Sequence, residues 1–274
     1  MKNEYTLLDS GNLRKLEQFG DYILIRPCSQ ALWSPRLTPL EWRERAHACF
    51  SREDGWQKYK SFPGLWTMGH QGVRFQISPT DFGHLGVFPE HAELWTFAAQ
   101  AIQERKKPVE VLNLFAYSGG ASLAMAKAGA RVCHVDSSQG MVAWARENAR
   151  LNHLEQAPIR WIVDDVHKFL KREIKRSKRY EGIILDPPSF GRGAKGEVFK
   201  LERDLPGLLE LCARLLSEDA LFFLVSAHTP GVSPITLSHL VKEHLRDGRV
   251  DHGELQLPGP ISIPCGVYAR WHYK

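Results

Sequence analysis

From residue 91 onward, short apolar runs alternate with longer stretches in which apolar positions recur every three or four residues. A short apolar run bounded by turn residues reads as a buried strand, and the longer period reads as an amphipathic helix. The pattern predicts a helix over 93–103, a strand over 109–114, a helix over 121–128 closed by Gly129, a strand over 131–135 and a helix over 139–152. It continues with a strand over 159–163, a helix over 166–176, a strand over 182–185, a helix over 204–216 and a strand over 221–225. A helix over 235–246 and two strands near 250–257 and 267–272 close the series. Such alternation builds βαβ units, so the expected sheet is mostly parallel with helices on both faces.

Residues 1–90 follow a different pattern. Tyr22-Ile23-Leu24-Ile25 reads as a short strand ended by Pro27. The runs 65–68 and 73–77 flank Gly69-His70-Gln71-Gly72, and the second alternates apolar and polar residues. That pair predicts a hairpin with one buried face. Residues 34–52 mix Pro, Trp and charge and read as a loop with a short helix around 40–48. The expected organisation is a small strand-rich domain over 1–90 and an α/β domain over 91–274.

Composition narrows the class. Hydrophobic residues make up 43% of the 274 and charged residues 24%, which excludes a largely disordered chain. The five cysteines, Cys28, Cys49, Cys133, Cys212 and Cys265, are scattered and form no C-x-x-C. Neither a disulfide framework nor a zinc knuckle is expected, and no metal is assigned. The chain starts without an apolar leader segment, and no stretch reaches the ~18 apolar residues of a membrane span. These features predict a cytoplasmic protein with no membrane partner. The net charge is +5, and residues 91–274 hold most of the excess, with 25 Lys/Arg against 21 Asp/Glu. That balance admits a polyanionic partner without requiring one.

Candidate chemistry gathers at the strand ends. The first strand of the α/β region runs into Phe115-Ala116-Tyr117-Ser118-Gly119-Gly120 and then opens a helix. In an open α/β sheet, ligands bind at the carboxyl ends of the strands. Glycine lets a ligand approach the backbone, and free N–H groups at a helix start favour a carboxylate or phosphate. Asp136 follows the second strand, 17 residues beyond Gly119, where the ribose-binding acid of a nucleotide site falls. Asp165 follows the third strand and also has the character of a helix N-cap. The turn lacks the full G-x-G-x-x-G of a pyrophosphate site, so an adenosyl ligand with a carboxylate tail fits better: S-adenosylmethionine (AdoMet).

The motifs NLFAYSGGAS, VDSS, DDV and DPPSF, in that order over residues 82–274, resemble the class I AdoMet-dependent methyltransferases. The resemblance is strongest to the family that modifies bases of large-subunit ribosomal RNA. It implies a Rossmann-like sheet of seven mostly parallel strands. By this resemblance Phe115, Tyr117, Ser118 and Gly119 line the methionine moiety. Asp136, with Ser137 beside it, holds the ribose hydroxyls, and Asp165 and Val166 border the adenine. The family tends to carry Gly-aromatic-aromatic-Leu-Asp-Gln-Arg before the first helix, whereas this chain reads Gly86-Val87-Phe88-Pro89-Glu90-His91-Ala92.

The fourth strand ends in Asp186-Pro187-Pro188-Ser189-Phe190. Two prolines fix an extended exit, because neither offers an N–H and each restricts the residue before it. A ring-conjugated amine is a poor nucleophile, since its lone pair is delocalised. A carboxylate and a carbonyl that accept its protons favour a more pyramidal nitrogen. Asp186, Pro187 and Phe190 are therefore the expected catalytic residues, with Asp186 also facing the cofactor and Phe190 stacking on the base. Some relatives instead attack cytosine through a Cys just after the fifth strand, but this chain has Ser226-Ala227-His228-Thr229 there. His228 reads equally as a substrate contact and as a loop residue.

Seven basic residues lie between Lys168 and Arg179, and Arg192, Lys195, Lys200 and Arg203 follow Phe190 on a Gly-containing stretch. Arg192, Lys195 and Lys200 are the expected contacts to RNA phosphates, which position a nucleic acid without reading its sequence. The resulting expectation is an AdoMet-dependent methyltransferase acting on a base amine of structured, ribosomal RNA. Rival readings are a protein or small-molecule acceptor, a cytosine carbon-5 enzyme, a nucleotide-binding oxidoreductase and an RNA-binding protein with a dead cofactor pocket.

Overall fold

The computed structural model describes residues 3–192, 198–245 and 247–273. It falls into two compact units, Met1–Ala92 with Gln256–Cys265, and Glu93–Leu255 with Gly266–Lys274.

The first unit carries strands β1 (Tyr5–Gly11), β2 (Arg14–Phe19) and β3 (Tyr22–Pro27), helix α1 (Pro39–Arg45), and strands β4 (Ala48–Ser51), β5 (Gly55–Lys58), β6 (Trp66–His70) and β7 (Val73–Ile77). The first five strands form one sheet in sequence order, with only the β3–β4 pair parallel. The β6–β7 hairpin matches the one expected from the alternation, and its Met68, Val73, Phe75 and Ile77 are buried. Thr38 starts α1 with a capping box to Glu41, and Trp42 docks the helix by donating from Nε1 to the buried Asp9 carboxylate at 2.9 Å. Asp9 also accepts from the main-chain N–H of Leu37 at 2.9 Å.

The second unit begins in α2 (Ala92–Glu104) and alternates strictly: β8 (Glu110–Leu114), α3 (Gly120–Lys127), β9 (Arg131–Asp136), α4 (Gln139–Leu151), β10 (Ile159–Val163), α5 (Val166–Lys175) and β11 (Gly182–Leu185). A short ribbon, β12 (Phe190–Arg192) against β13 (Val198–Lys200), precedes α6 (Leu201–Ala213). The series closes with β14 (Phe222–Ala227), α7 (Pro234–His244), β15 (Arg249–Leu257) and β16 (Ile263–His272). The seven-stranded sheet has the order β10-β9-β8-β11-β14-β16-β15. Its first five strands are parallel, and β16 runs antiparallel to β14. Leu112, Leu114, Ile183, Leu185, Phe223 and Val225 fill the core against Phe169 of α5 and Leu205, Leu208 and Leu209 of α6. This is the seven-stranded, mostly parallel α/β architecture read from the sequence, with a strand-rich N-terminal region.

Two local expectations change. The stretch after Phe190 is no simple loop: it pairs as the ribbon, which puts Lys200 on a strand. Helix α6 starts at Leu201 rather than 204, so Arg203 is helical, even though Pro206 inside the helix offers no N–H to the carbonyl four residues back. Of the described residues, no helix is long and apolar enough to cross a membrane.

Candidate active site

Strands β8, β9 and β10 step outward on one side, and the chain then crosses back to place β11 and β14 on the other side of β8. A crevice outside the carboxyl ends of the strands forms where the order reverses, here between β8 and β11. The register sets Leu185 beside Leu114 and beside Val225. The next residues along the three strands are Phe115, Asp186 and Ser226, so they emerge together at that crevice.

The exit of β8 is wound tightly. Phe115, Tyr117 and Gly119 all have positive φ, at 54°, 50° and 93°. A left-handed residue other than glycine costs roughly 1–2 kcal/mol, so surrounding bonds must enforce the turn. They do. The N–H of Ala116 donates to the carbonyl of Val135 at 3.1 Å, and that of Gly119 to Ala116 at 3.0 Å. Asn148 of α4 donates from Nδ2 to the carbonyl of the buried Ser118 at 2.9 Å. Asp136, at the end of β9, accepts from Tyr117 N–H on one oxygen and from Ser138 N–H on the other, each at 2.8 Å. Burial pushes the Asp136 carboxyl pKa up; the two N–H bonds oppose that shift and only partly cancel it. A Cβ at Gly119 would lie 3.0 Å from the Cβ of Ala145 in α4, and one at Gly120 would run into the Trp95 ring. The glycines are thus needed for helix packing and for the left-handed backbone. The sequence alone suggested only room for a ligand.

Beneath the turn, Asn113 donates from Nδ2 to Ser122 Oγ at 2.9 Å, and Ser122 Oγ lies 3.0 Å from His134 Nδ1. Burial drives the His134 pKa down to about 3, so the ring is neutral and serves as a hydrogen-bond partner. Phe115 packs on Phe199 of the ribbon with ring centres 5.7 Å apart, and Tyr117 faces Trp144 at 6.4 Å. Ser137 is exposed next to Asp136. Asp165 is the N-cap of α5 and accepts from Lys168 N–H at 2.9 Å, while the Val166 side chain is in the core. The helix-capping reading of Asp165 therefore holds.

At the exit of β11 the Asp186 carboxylate accepts from the Ser226 hydroxyl at 2.7 Å, and His228 Nε2 lies 3.6 Å from the same oxygen. Thr229 donates to Ser189 Oγ at 2.7 Å, tying the loop after β14 to the loop after β11. Pro187 is buried, whereas Phe190 is 51% exposed. In the sequence Ser226 stands out only as part of a segment lacking cysteine. Its position one residue past the β11–β14 register would have marked it, but register is not visible in a single chain.

None of the five cysteines occupies the exit of β14, where Ser226, Ala227, His228 and Thr229 stand. Cys49, Cys133 and Cys212 are buried, and burial pushes Cys133 up to about 11 and Cys265 to about 12. Of the basic residues, Lys200 is exposed on β13. Lys195 and the side chain of Arg192 lie outside the described residues. The seven basic residues of 168–179 are all exposed, with Arg172 paired to Asp164 and Arg176 to Glu173.

Comparison with known proteins agrees with this geometry. The family model of S-adenosylmethionine-dependent methyltransferases matches residues 50–257. The crystal structure of a SAM-dependent methyltransferase from Agrobacterium tumefaciens superimposes with a TM-score of 0.94 at 40% identity, over 99% of this chain and 91% of that one. The ribosomal RNA large subunit methyltransferase K/L of Hahella chejuensis is 37% identical over 155 residues, 55% of this chain and 20% of that protein. The enzyme of the same name from Shewanella sp. (strain ANA-3) is 34% identical over 210 residues, 73% of this chain and 27% of that protein. The chain thus spans only about a quarter of these curated relatives. The strand order, the wound turn before α3 and the match over most of the length place this chain in the S-adenosylmethionine-dependent methyltransferase family, as an enzyme whose methyl donor is AdoMet.

Proposed function

We propose that the enzyme methylates a base nitrogen of large-subunit ribosomal RNA. The observation that carries this reading is the pairing of Asp186, gripped by Ser226 at 2.7 Å, with the half-exposed ring of Phe190 four residues later. The relatives named as ribosomal RNA large subunit methyltransferases support RNA as the acceptor.

The residues fit AdoMet. The Asp136 carboxylate offers its remaining lone pairs to the ribose hydroxyls, with the exposed Ser137 beside it. The main chain of 115–119, already bent by three left-handed residues, receives the methionine end. Asp165 and the main chain of Val166 border the adenine. AdoMet supplies an electrophilic methyl group on a sulfonium, and the protein must then align the acceptor with it. Phe190 stacks the base, and the Asp186 carboxylate accepts a proton of the amine and draws the nitrogen toward a pyramidal, nucleophilic shape. Pro187 holds the exit rigid, so Asp186 cannot swing away. The Ser226 bond removes one rotameric freedom from the carboxylate before substrate arrives. Burial raises the pKa of Cys133, Cys212 and Cys265, and no cysteine follows β14, which disfavours a thiolate nucleophile and thus the carbon-5 reaction. The five free cysteines also suit a reducing cytoplasm.

Mass spectrometry of ribosomal RNA nucleosides from cells with and without the gene tests the substrate. One methylated nucleoside is expected to vanish and to return on complementation with the wild-type gene. Asp186→Ala should not restore it, although the purified variant still binds RNA. Identical nucleoside profiles with and without the gene would refute the RNA reading. Restored modification by Asp186→Ala would remove that residue from the chemistry.

A further inference from the structure

A cavity of about 210 Å³ lies wholly within the first unit, with Lys15, Arg26, Arg52, Phe50, Phe82 and Phe88 in its wall. Its most unusual element is the turn at Thr80–His84. The N–H of Thr80 donates to the carbonyl of His84 at 2.9 Å, and that of Gly83 to the carbonyl of Thr80 at 3.0 Å. Trp56 Nε1 donates to the Thr80 carbonyl at 2.9 Å, and Arg26 to the Gly83 carbonyl at 3.1 Å. Gly83 has φ +76° and sits so close to the Phe50 ring that a Cβ would fall 2.5 Å from it. The bonds at Thr80, Gly83 and His84 hold the base of the turn, yet the Phe82 ring stands in water, 82% exposed. An aromatic face presented on a turn held at its base is preorganised for stacking, because little side-chain and loop entropy is lost when a flat ligand settles on it.

The charges around that ring select the ligand. Arg26 and Lys15 share one buried carboxylate, Glu17, at 2.8 and 3.1 Å, which leaves a net positive charge. Arg52 adds an exposed guanidinium. Glu90, mostly buried, is the one carboxylate of the cavity wall and suits a base amine or a ribose hydroxyl rather than a phosphate. A π-face beside cations that read no sequence is the physics of single-stranded nucleic acid binding. We propose that this cavity takes one unpaired nucleotide of the RNA acceptor, with its base stacked on Phe82 and its phosphate at Arg52. It would hold a nucleotide other than the methylated one, and it rests on RNA being the acceptor.

Fluorescence anisotropy of the full chain with a short labelled single-stranded RNA tests the site. Phe82→Ala is expected to weaken binding about tenfold without changing its salt dependence, and Phe82→Trp to restore it. Arg52→Ala is expected to lower the slope of log K against log salt by about 0.7. AdoMet affinity and melting temperature should stay at wild-type values, since both side chains are exposed. Wild-type RNA affinity and salt slope in both alanine variants would overturn the site while leaving the RNA reading intact. Absence of RNA binding by the wild type at low salt would overturn both.

Discussion

Both oxygens of Asp136 accept a main-chain N–H at 2.8 Å, yet burial still leaves its pKa above the ordinary aspartate value. In its proposed role the carboxylate must be ionised to accept from the ribose hydroxyls. As pH falls through the raised pKa it takes up a proton, and it does so at higher pH than an exposed aspartate. AdoMet affinity should therefore weaken on mild acidification, beginning above the ordinary aspartate range. Asp136→Asn should cost ~1–3 kcal/mol of binding at neutral pH and flatten that pH dependence. Calorimetric titration of both proteins over a pH series checks this, and a wild-type affinity independent of pH down to the ordinary aspartate range would contradict it. The position of Asp136 after a predicted strand was legible in the sequence. Its service as a clamp on the left-handed Tyr117 was not, because the donor lies 19 residues away.

The parallel strands β8, β11 and β14 bring Phe115, Asp186 and Ser226 out side by side at their carboxyl ends, so elements rather than sequence neighbours assemble the site. The ribbon of β12 and β13 is part of this delivery, since it carries Phe190 and Lys200 as opposed partners and sets Phe199 against Phe115. It escaped the pattern reading because each strand has three residues and a Gly-rich stretch lies between them. Neutralising Arg192, Lys195 and Lys200 together should lower the salt slope of RNA binding by about 2–3, with AdoMet affinity untouched. A filter-binding series over salt concentration measures that slope. An unchanged slope would take the ribbon out of the RNA contact. The helices and strands from α2 to α7, by contrast, follow the expected spans to within about three residues, since their apolar period is uninterrupted.

At the scale of the whole molecule, the first unit is organised around a buried charge. Glu17 is fully buried in β2 and accepts from Arg26 at 2.8 Å and from Tyr5 at 3.0 Å, with Lys15 at 3.1 Å. Burial alone would raise its carboxyl pKa, but Arg26 and Lys15 overcome it and bring it from 4.5 down to about 2. A depressed carboxyl pKa stabilises the fold fully above the unfolded value, and the benefit fades as pH drops toward the folded one. Stability should thus decline between pH 4.5 and about 2 as Glu17 protonates. Glu17→Gln should destabilise the protein by ~3 kcal/mol at neutral pH, because Arg26 is then buried without its counter-charge. Urea unfolding of both proteins measures this. A change below ~1 kcal/mol would show that the charge network is not what holds the sheet.

The sequence by itself determined the α/β alternation, the strand ends that bear chemistry and the order of the motifs. All of these are local: a period of apolar positions, a Gly pair after a strand, two prolines after an aspartate. Tertiary structure alone decided what depends on partners distant in the chain. Asp9 and Glu17 interrupt the apolar alternation of β1 and β2, so those strands did not stand out, and their burial is tolerable only because Trp42, Leu37 and Arg26 arrive from other elements. Ser226 reaches Asp186 through strand register, 40 residues along the chain. Residues 256–265 join the first unit although the last strands belong to the sheet of the second. Each of these depends on where the strands pair, and pairing is set by the packed core rather than by any local run of residues.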